Sequence, residues 1–173
     1  METNGRRITV ILAALLAGFV ICPIGAFAEV SLNANDLQAA QLVAATTFDA
    51  FTLYAKSDKG VTIEAMEAAR TAADGEVFNA RIKLNGGGAL DYRSIHFTVK
   101  EKATVTIYLS SSSKTDARIL KLVDAAGTVL AELAAPPDDG AAAGIATFAV
   151  PKGGEYVIFS AGSGINIYQI VVN

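Results

Sequence analysis

The sequence has few of the residues that most often carry metal and nucleophile chemistry. Its 173 residues include one cysteine, one histidine and no tryptophan. A disulfide framework needs paired cysteines and is excluded, while a single histidine leaves little for a metal cluster or a nucleophilic triad. The formal net charge of −3 argues against nucleic acid or an anionic membrane surface as a partner, since both attract basic proteins.

The first 28 residues have the composition of a secretory signal peptide. Two arginines at 6–7 precede an apolar run over 8–21, and the predicted cleavage site follows Ala28 in a small-x-small pattern. A membrane anchor is disfavoured because the apolar run is shorter than the roughly 20 residues that cross a bilayer. A lipoprotein is disfavoured because a bulky isoleucine precedes Cys22. We therefore predict a secreted protein, extracellular or periplasmic, whose mature chain begins at Glu29 and has no membrane span.

The clearest periodicity lies in residues 94–113. Apolar residues alternate with polar ones in two runs separated by Glu101 and Lys102, which predicts the two strands of a hairpin with one face in the core. His96 and Tyr108 fall on the polar side of this alternation, so we expect them to share the solvent-facing surface. The apolar positions are Ile95, Phe97, Val99, Val105, Ile107 and Leu109.

Short strand-like runs separated by glycine-rich turns make up most of the remaining chain. They predict an all-β fold, a single jelly-roll-like β-sandwich over 48–173. It is preceded by a lead-in over 29–47, in which an Asn-Asp pair is placed to begin a short helix over 36–45. Helix is also an alternative for 64–73, where alanine, methionine, glutamate and arginine favour it. The other expected strands span 48–55, 61–65, 77–84, 117–124, 128–134, 145–150, 156–161 and 165–172.

The order of several short motifs is more specific than any one of them. Residues 78–86 follow the pattern Phe-x-x-Arg-x-Lys-Leu-x-Gly, and residues 92–97 follow Tyr-Arg-Ser-Ile-x-Phe. The chain ends with Gly-Gly-Glu-Tyr-Val-Ile over 153–158 and Gly-Ile-Asn-Ile-Tyr-x-Ile-x-Val over 164–172. This order resembles the noncatalytic β-sandwich carbohydrate-binding modules appended to bacterial pectate lyases. The resemblance implies a secreted, noncatalytic protein that binds polysaccharide, preferably an acidic one such as pectin, through basic residues.

Seven basic or aromatic side chains are the candidate ligand-binding residues under this interpretation. Arginine grips a carboxylate through two hydrogen bonds and lysine acts as a point charge. Arg81 and Lys83, two apart on one predicted strand, should share a face. An ordinary solvated sheet surface explains the same residues and stays an open alternative. The candidates are Arg81, Lys83, Arg93, His96, Tyr108, Lys114 and Arg118.

No arrangement of side chains in the sequence predicts a reaction. The serine run over 110–113 has no histidine or aspartate at a spacing that would make a nucleophile, so we expect no catalytic residues and no enzyme activity. No cofactor is expected either, although acidic loops such as Asp138-Asp139 leave a structural calcium ion open. The alternative function is a structural or adhesive extracellular β-sandwich that self-associates or binds a surface protein.

Overall fold

The computed structural model describes residues 29–173, and the predicted signal peptide over 1–28 lies outside the described residues. The described chain forms thirteen β-strands and one short 3-10 helix, Ala34–Asp36. No helix within it is long and apolar enough to cross a membrane. The strands are β1 (Val30–Asn33), β2 (Ala40–Leu42), β3 (Thr46–Phe48), β4 (Phe51–Tyr54), β5 (Val61–Ala72), β6 (Val77–Leu84), β7 (Ser94–Val99), β8 (Ala103–Ser111), β9 (Arg118–Asp124), β10 (Val129–Ala135), β11 (Ala142–Val150), β12 (Gly154–Ser160) and β13 (Ile165–Val172).

The strands form two sheets that pack face to face, which confirms the predicted all-β sandwich. The larger sheet contains β1, β2, β5, β6, β8, β11 and β13, and the smaller sheet runs in the order β10-β9-β12-β7-β4-β3. The alternating apolar residues of both sheets meet in one core, where side chains such as Phe51, Ile82 and Ile158 have no exposed surface. Burial of this apolar area is the main stabilising term of such a fold.

β7 and β8 lie in opposite sheets, so the predicted hairpin was wrong. β7 pairs with β4 and β12, whereas β8 pairs with β11 and β13. Each strand has one apolar face, and the connection over 100–102 crosses between the layers so that Phe97 and Ile107 both reach the shared core. His96 and Tyr108 therefore lie on opposite outer surfaces of the sandwich, because each points away from the core of its own sheet.

β13 is a central strand that closes the larger sheet into a ring of pairings. One of its edges pairs with β8, and the other pairs first with β6 and then with β1. From β8 the ring continues through β11 to β5 and back to β6. The ring brings the end of β5 and the start of β6 over the outer face of β8 and β13. There Phe78, Tyr108 and Tyr168 form a second, smaller apolar cluster.

The lead-in segment is built into both sheets through β1, β2 and β3. The helix predicted over 36–45 was wrong, because Asn33 caps only a single 3-10 turn and Ala40–Leu42 pairs with β5. A short isolated helix has little to bury, whereas the strand pairing lets Leu42 enter the core. Residues 64–73 are not helical either, since most of this segment belongs to β5, whose pairing with β6 is interrupted at 66–69 and resumes at Arg70.

Candidate functional site

An open groove of about 820 Å³ lies on the outer face of the larger sheet, and we call it the polar groove. β5, β6, the loop after β8 and the loop before β11 form its walls. Its volume is in the range of ligand clefts in proteins. The predicted site residues Arg81 and Lys114 line it, and Lys83 lies on the same outer face of β6 as Arg81. The lining residues are Glu64, Ala65, Met66, Glu67, Ala68, Arg70, Arg81, Ser112, Lys114, Asp138, Asp139 and Gly140.

A wide bulge in β5 shapes one rim of the polar groove. The pairing of β5 with β6 is regular up to Ala65 and resumes at Arg70, so residues 66–69 leave the ladder. The side chain of Asn35 bonds to the backbone of β6 at the residues where this ladder is interrupted. Its carbonyl oxygen accepts hydrogen bonds from the backbone N–H groups of Asn79 and Ala80, at 2.8 and 3.1 Å. Asn35 therefore satisfies these two backbone N–H groups of β6 at the place where the bulge interrupts the ladder.

The floor of the groove carries an arginine that is already paired. Arg81 donates from Nε and Nη2 to Oε1 of Glu64, at 2.8 and 2.6 Å. These residues face each other across β5 and β6 in register, so the sheet itself sets the contact. Lys83 Nζ lies 3.8 Å from the same carboxylate oxygen. Glu64 thus offsets much of the positive charge that the sequence places on this face.

A buried ion pair joins the β5 rim to the loop before β11. Arg70 donates from Nε and Nη2 to the two carboxylate oxygens of Asp138, at 2.7 and 3.2 Å, and both residues are 8% exposed. The remaining nitrogen, Nη1, donates to the carbonyl oxygen of Ala68 at 2.7 Å. The hydrogen bonds to Asp138 raise the pKa of Arg70 further above its ordinary value. The fork geometry fixes the position of the loop against the bulged strand.

Asn166 of β13 connects this ion pair to the second apolar cluster. Its Nδ2 group lies within hydrogen-bond distance of Ser110 Oγ and the Ser111 carbonyl, at 3.2 and 3.3 Å, and 3.4 Å from Asp138. Ser110 Oγ also lies 2.6 Å from the Tyr168 hydroxyl. The Oδ1 atom of Asn166 is buried and has no hydrogen-bond partner among residues 29–173. A buried amide oxygen without a partner costs free energy. The contacts of the Nδ2 group hold the Asn166 side chain in place despite this cost.

Tyr108 belongs to the second apolar cluster and does not present its ring to solvent. The residue is 8% exposed, its ring centroid lies 5.1 Å from that of Phe78, and its hydroxyl donates to Asp74 at 2.7 Å. Burial and the Asp74 carboxylate together raise the pKa of Tyr108 to about 12. The hydrogen bond from Tyr108 lowers the pKa of Asp74. The Tyr108 ring therefore packs within the second apolar cluster and does not offer a surface on which a sugar ring could stack.

The raised pKa of Tyr108 predicts a loss of stability at alkaline pH. The folded chain retains the phenol proton above pH 10, where the unfolded chain releases it, so stability should fall as the pH rises from 10 towards 12. Thermal unfolding followed by circular dichroism across this range measures the effect. Tyr108→Phe should reduce the fall, whereas Tyr92→Phe, outside the cluster, should keep it. An unchanged alkaline profile in Tyr108→Phe would contradict the assignment.

Arg118 and Arg93 lie outside the polar groove, where loops of the two sheets meet. Arg118 Nη1 donates to Ser112 Oγ at 2.6 Å and to the Gly164 carbonyl at 2.5 Å, so its contacts tie two loops together. Arg93 has a φ of 46° and packs its guanidinium against Gly86. Its Nε atom is buried and has no hydrogen-bond partner among residues 29–173.

His96 lies on the outer face of the smaller sheet and is not part of the groove. Its Nδ1 atom is 2.7 Å from a carboxylate oxygen of Glu155, and its Nε2 atom is 2.7 Å from the carbonyl oxygen of Leu90. The ring also packs against Tyr54, with centroids 4.2 Å apart. Both ring nitrogens are engaged, so the imidazole holds the loop before β7 against the sheet.

The acidic residues singled out for calcium do not converge. Asp138 pairs with Arg70, Asp139 accepts backbone N–H groups of Ala141 and Ala142, and Asp91 pairs with Lys56. No group of three or more metal-ligating side chains occurs within residues 29–173.

Several residues of the groove region were not among the predicted site residues, and those that form its polar network include Glu64, Arg70, Asp138 and Asn166. Glu64 could have been found, because its alternation with Val61 and Ile63 places it on the outer face beside Arg81. Arg70 and Asp138 are 68 residues apart in sequence, and no local pattern links them.

Comparison with known proteins gives similarity of structure only. No protein-family model matches the sequence, and no curated protein matches it. A structure from the Ruminococcus flavefaciens cellulosome, described in terms of an expansion in glycan recognition, has a TM-score of 0.50 and 14% identity and covers 83% of this chain and 92% of that chain. A family 35 carbohydrate-binding module from Clostridium thermocellum has a TM-score of 0.48 and 16% identity and covers 83% of this chain and 96% of that chain. At 14% identity the likeness to the cellulosome structure shows the β-sandwich fold alone.

Proposed function

We propose that this protein is a secreted, noncatalytic carbohydrate-binding protein that holds a polysaccharide in the polar groove. The observation that carries the proposal is the groove itself, an open cleft of about 820 Å³ whose polar lining is fixed by ion pairs before any ligand enters. Preorganised hydrogen-bonding groups bind without the cost of ordering side chains on association. The fold similarity to a cellulosome protein described in terms of glycan recognition supports the same function.

The carboxylates of the groove favour binding over catalysis. Acid and base catalysis of glycosidic cleavage uses two carboxyl groups that face the substrate. Glu64 and Asp138 are each engaged by an arginine, at 2.6 and 2.7 Å. Each arginine fixes the position of its carboxylate partner, so Glu64 and Asp138 are the two groove carboxylates that favour binding over catalysis. Glu67 and Asp139 also line the groove and make no ion pair within residues 29–173.

The preference for an acidic polysaccharide such as pectin rests on two lysines. Lys114 lines the groove and makes no ion pair with any residue of 29–173, and Lys83 approaches Glu64 only at 3.8 Å. Lys114 is available to a carboxylate on the sugar, and Lys83 shares Glu64 with Arg81. Arg81 and Arg70 fix the positions of Glu64 and Asp138 but add no net charge to the groove, because these carboxylates neutralise them.

Calorimetric titration of the purified protein with polygalacturonate tests this proposal. The double variant Lys83→Ala/Lys114→Ala should bind about tenfold more weakly, which is about 1.4 kcal/mol, because both lysine cations are lost. Lys100→Ala/Lys102→Ala is the matched control, since it removes the same charge from the exposed turn before β8.

Each result of this titration decides one part of the proposal. Equal weakening in both double variants would show nonspecific charge attraction and remove the groove from consideration. Binding of neutral mannan as tight as that of polygalacturonate, with no effect of the lysine changes, would contradict the acidic preference alone. A protein that binds neither polymer would contradict carbohydrate binding.

A further inference from the structure

β11 has a long edge that is not paired. Gly144–Val150 pair with β8 on one side. On the other side only Ala142 and Ala143 have a partner, the end of β5. Beyond Ala143, no strand within residues 29–173 pairs with this edge. A run of backbone N–H and C=O groups is therefore available to another strand.

This edge lacks the features that protect the edges of natural sheets. Proteins usually block an exposed edge with lysine, proline, a bulge or a very short strand. β11 has nine residues, no charge and no proline. The other edge strands are protected, because β1, β2 and β3 have three or four residues and β10 carries Glu132 and a register shift. Ile145 is 41% exposed, and the core-facing Phe148 is only partly buried.

The sequence of β11 is complementary to itself in the antiparallel direction. A pairing centred on Thr147 places Thr147 opposite its own copy, a favourable cross-strand pair. The same register places Ile145 opposite Ala149 and Ala146 opposite Phe148, so each large side chain meets a small one. No charge is brought against a like charge. Centring the free β10 edge on itself at Glu132 would oppose two carboxylates.

We propose that two copies of this chain associate in solution by antiparallel pairing of β11 with β11 about Thr147. The pairing continues the larger sheet from one copy into the other through a twofold axis normal to the sheet. Such an axis keeps the outer faces of both copies on the same side, so both polar grooves open in one direction. If the groove binds polysaccharide as proposed above, the dimer gains avidity for a long polymer, but the pairing itself does not depend on that function.

Light scattering coupled to size-exclusion chromatography tests the pairing over a range of protein concentrations. A single edge contact is small, so we expect a dissociation constant on the order of 10 µM and a mass that rises from one chain to two. Thr147→Glu and Thr147→Lys should each remain monomeric, because the central pair becomes two like charges. An equimolar mixture of the two variants should recover the dimer, since opposite charges then meet at the axis.

The matched control is Thr98→Glu, an exposed threonine on β7 of the smaller sheet, which should dimerise like the wild-type protein. Circular dichroism checks that each variant is folded, and Ala149→Lys on the same exposed edge replaces Thr147→Glu if that variant is not. A wild-type protein that stays monomeric at about 1 mM, far above the expected constant, overturns the proposal. So does a dimer that Thr147→Glu leaves intact, or a mixture that stays monomeric.

Discussion

Asp138→Ala is expected to lower the free energy of unfolding by about 3–5 kcal/mol, because it leaves the guanidinium of a buried arginine without its partner. Arg70 is 8% exposed and directs two nitrogens at the Asp138 carboxylate. The substitution also removes the acceptor of Gly140 N–H and a contact of Asn166. Urea denaturation followed by circular dichroism gives the change in free energy, provided that the dependence on urea concentration stays the same.

Two variants show whether the loss comes from the unpaired charge. Asp139→Ala removes the neighbouring carboxylate, which is exposed and accepts only backbone N–H groups, and it should cost much less. Arg70→Met/Asp138→Leu removes both charges and should recover most of the stability lost in Asp138→Ala. A double variant as unstable as the single one would show that the polar network, rather than the orphaned arginine, sets the cost.

Phe78→Ala should destabilise the protein by about 3–5 kcal/mol, because it opens a cavity in a cluster that has few other apolar members. Phe78 has no exposed surface and packs between Tyr108 and Tyr168, with ring centroids at 5.1 and 5.5 Å. This cluster holds the start of β6 over the outer face of β8 and β13. Chemical denaturation measures the loss.

The neighbouring residue gives a control on the same strand. Val77 is 47% exposed, so Val77→Ala should change the free energy of unfolding by about 0.5 kcal/mol or less. Similar losses in Val77→Ala and Phe78→Ala would mean that the second cluster contributes no packing energy of its own.

The sequence predicts strands well wherever apolar and polar residues alternate. The bounds of β6 and β13 agree with the expected spans. The pattern of period two runs along β6, whereas in β13 a register shift at Tyr168 interrupts it. The same pattern cannot say which sheet a strand joins. β7 and β8 satisfy the alternation equally as a hairpin or as strands of opposite sheets, and the strands with which each one pairs decide between the two arrangements.

Helix propensity favoured the wrong structure in two segments where pairing with a distant strand decides the conformation. Alanine-rich residues 36–45 and 64–73 favour helix in isolation, yet β2 and β5 form there because β5 offers a partner strand to β2 and β6 offers one to β5. The bulge over 66–69 is also invisible in the sequence, although it creates the rim of the polar groove.

The candidate site could be predicted only in part. The shared face of Arg81 and Lys83 follows from strand periodicity, and Lys114 lines the same groove. The Arg70–Asp138 ion pair could not be anticipated, since it joins distant segments through the ring of the larger sheet. His96 lies elsewhere because β7 belongs to the smaller sheet, and Arg93 lies in the loop that leads into that strand.

The central position of β13 has a consequence for how the chain folds. Its partners include β1, where Val30 pairs with Val172, so this pairing joins the two ends of the described chain. Contacts across such a separation carry a large loop-closure entropy, and folding slows as mean sequence separation grows. Before β13 pairs, one edge of β6 and one edge of β8 are unpaired, as is most of one edge of the uncharged β11. During this interval, incompletely folded copies are most prone to aggregate through their exposed strand edges. Fast pairing of β13 should therefore raise the yield of folded protein.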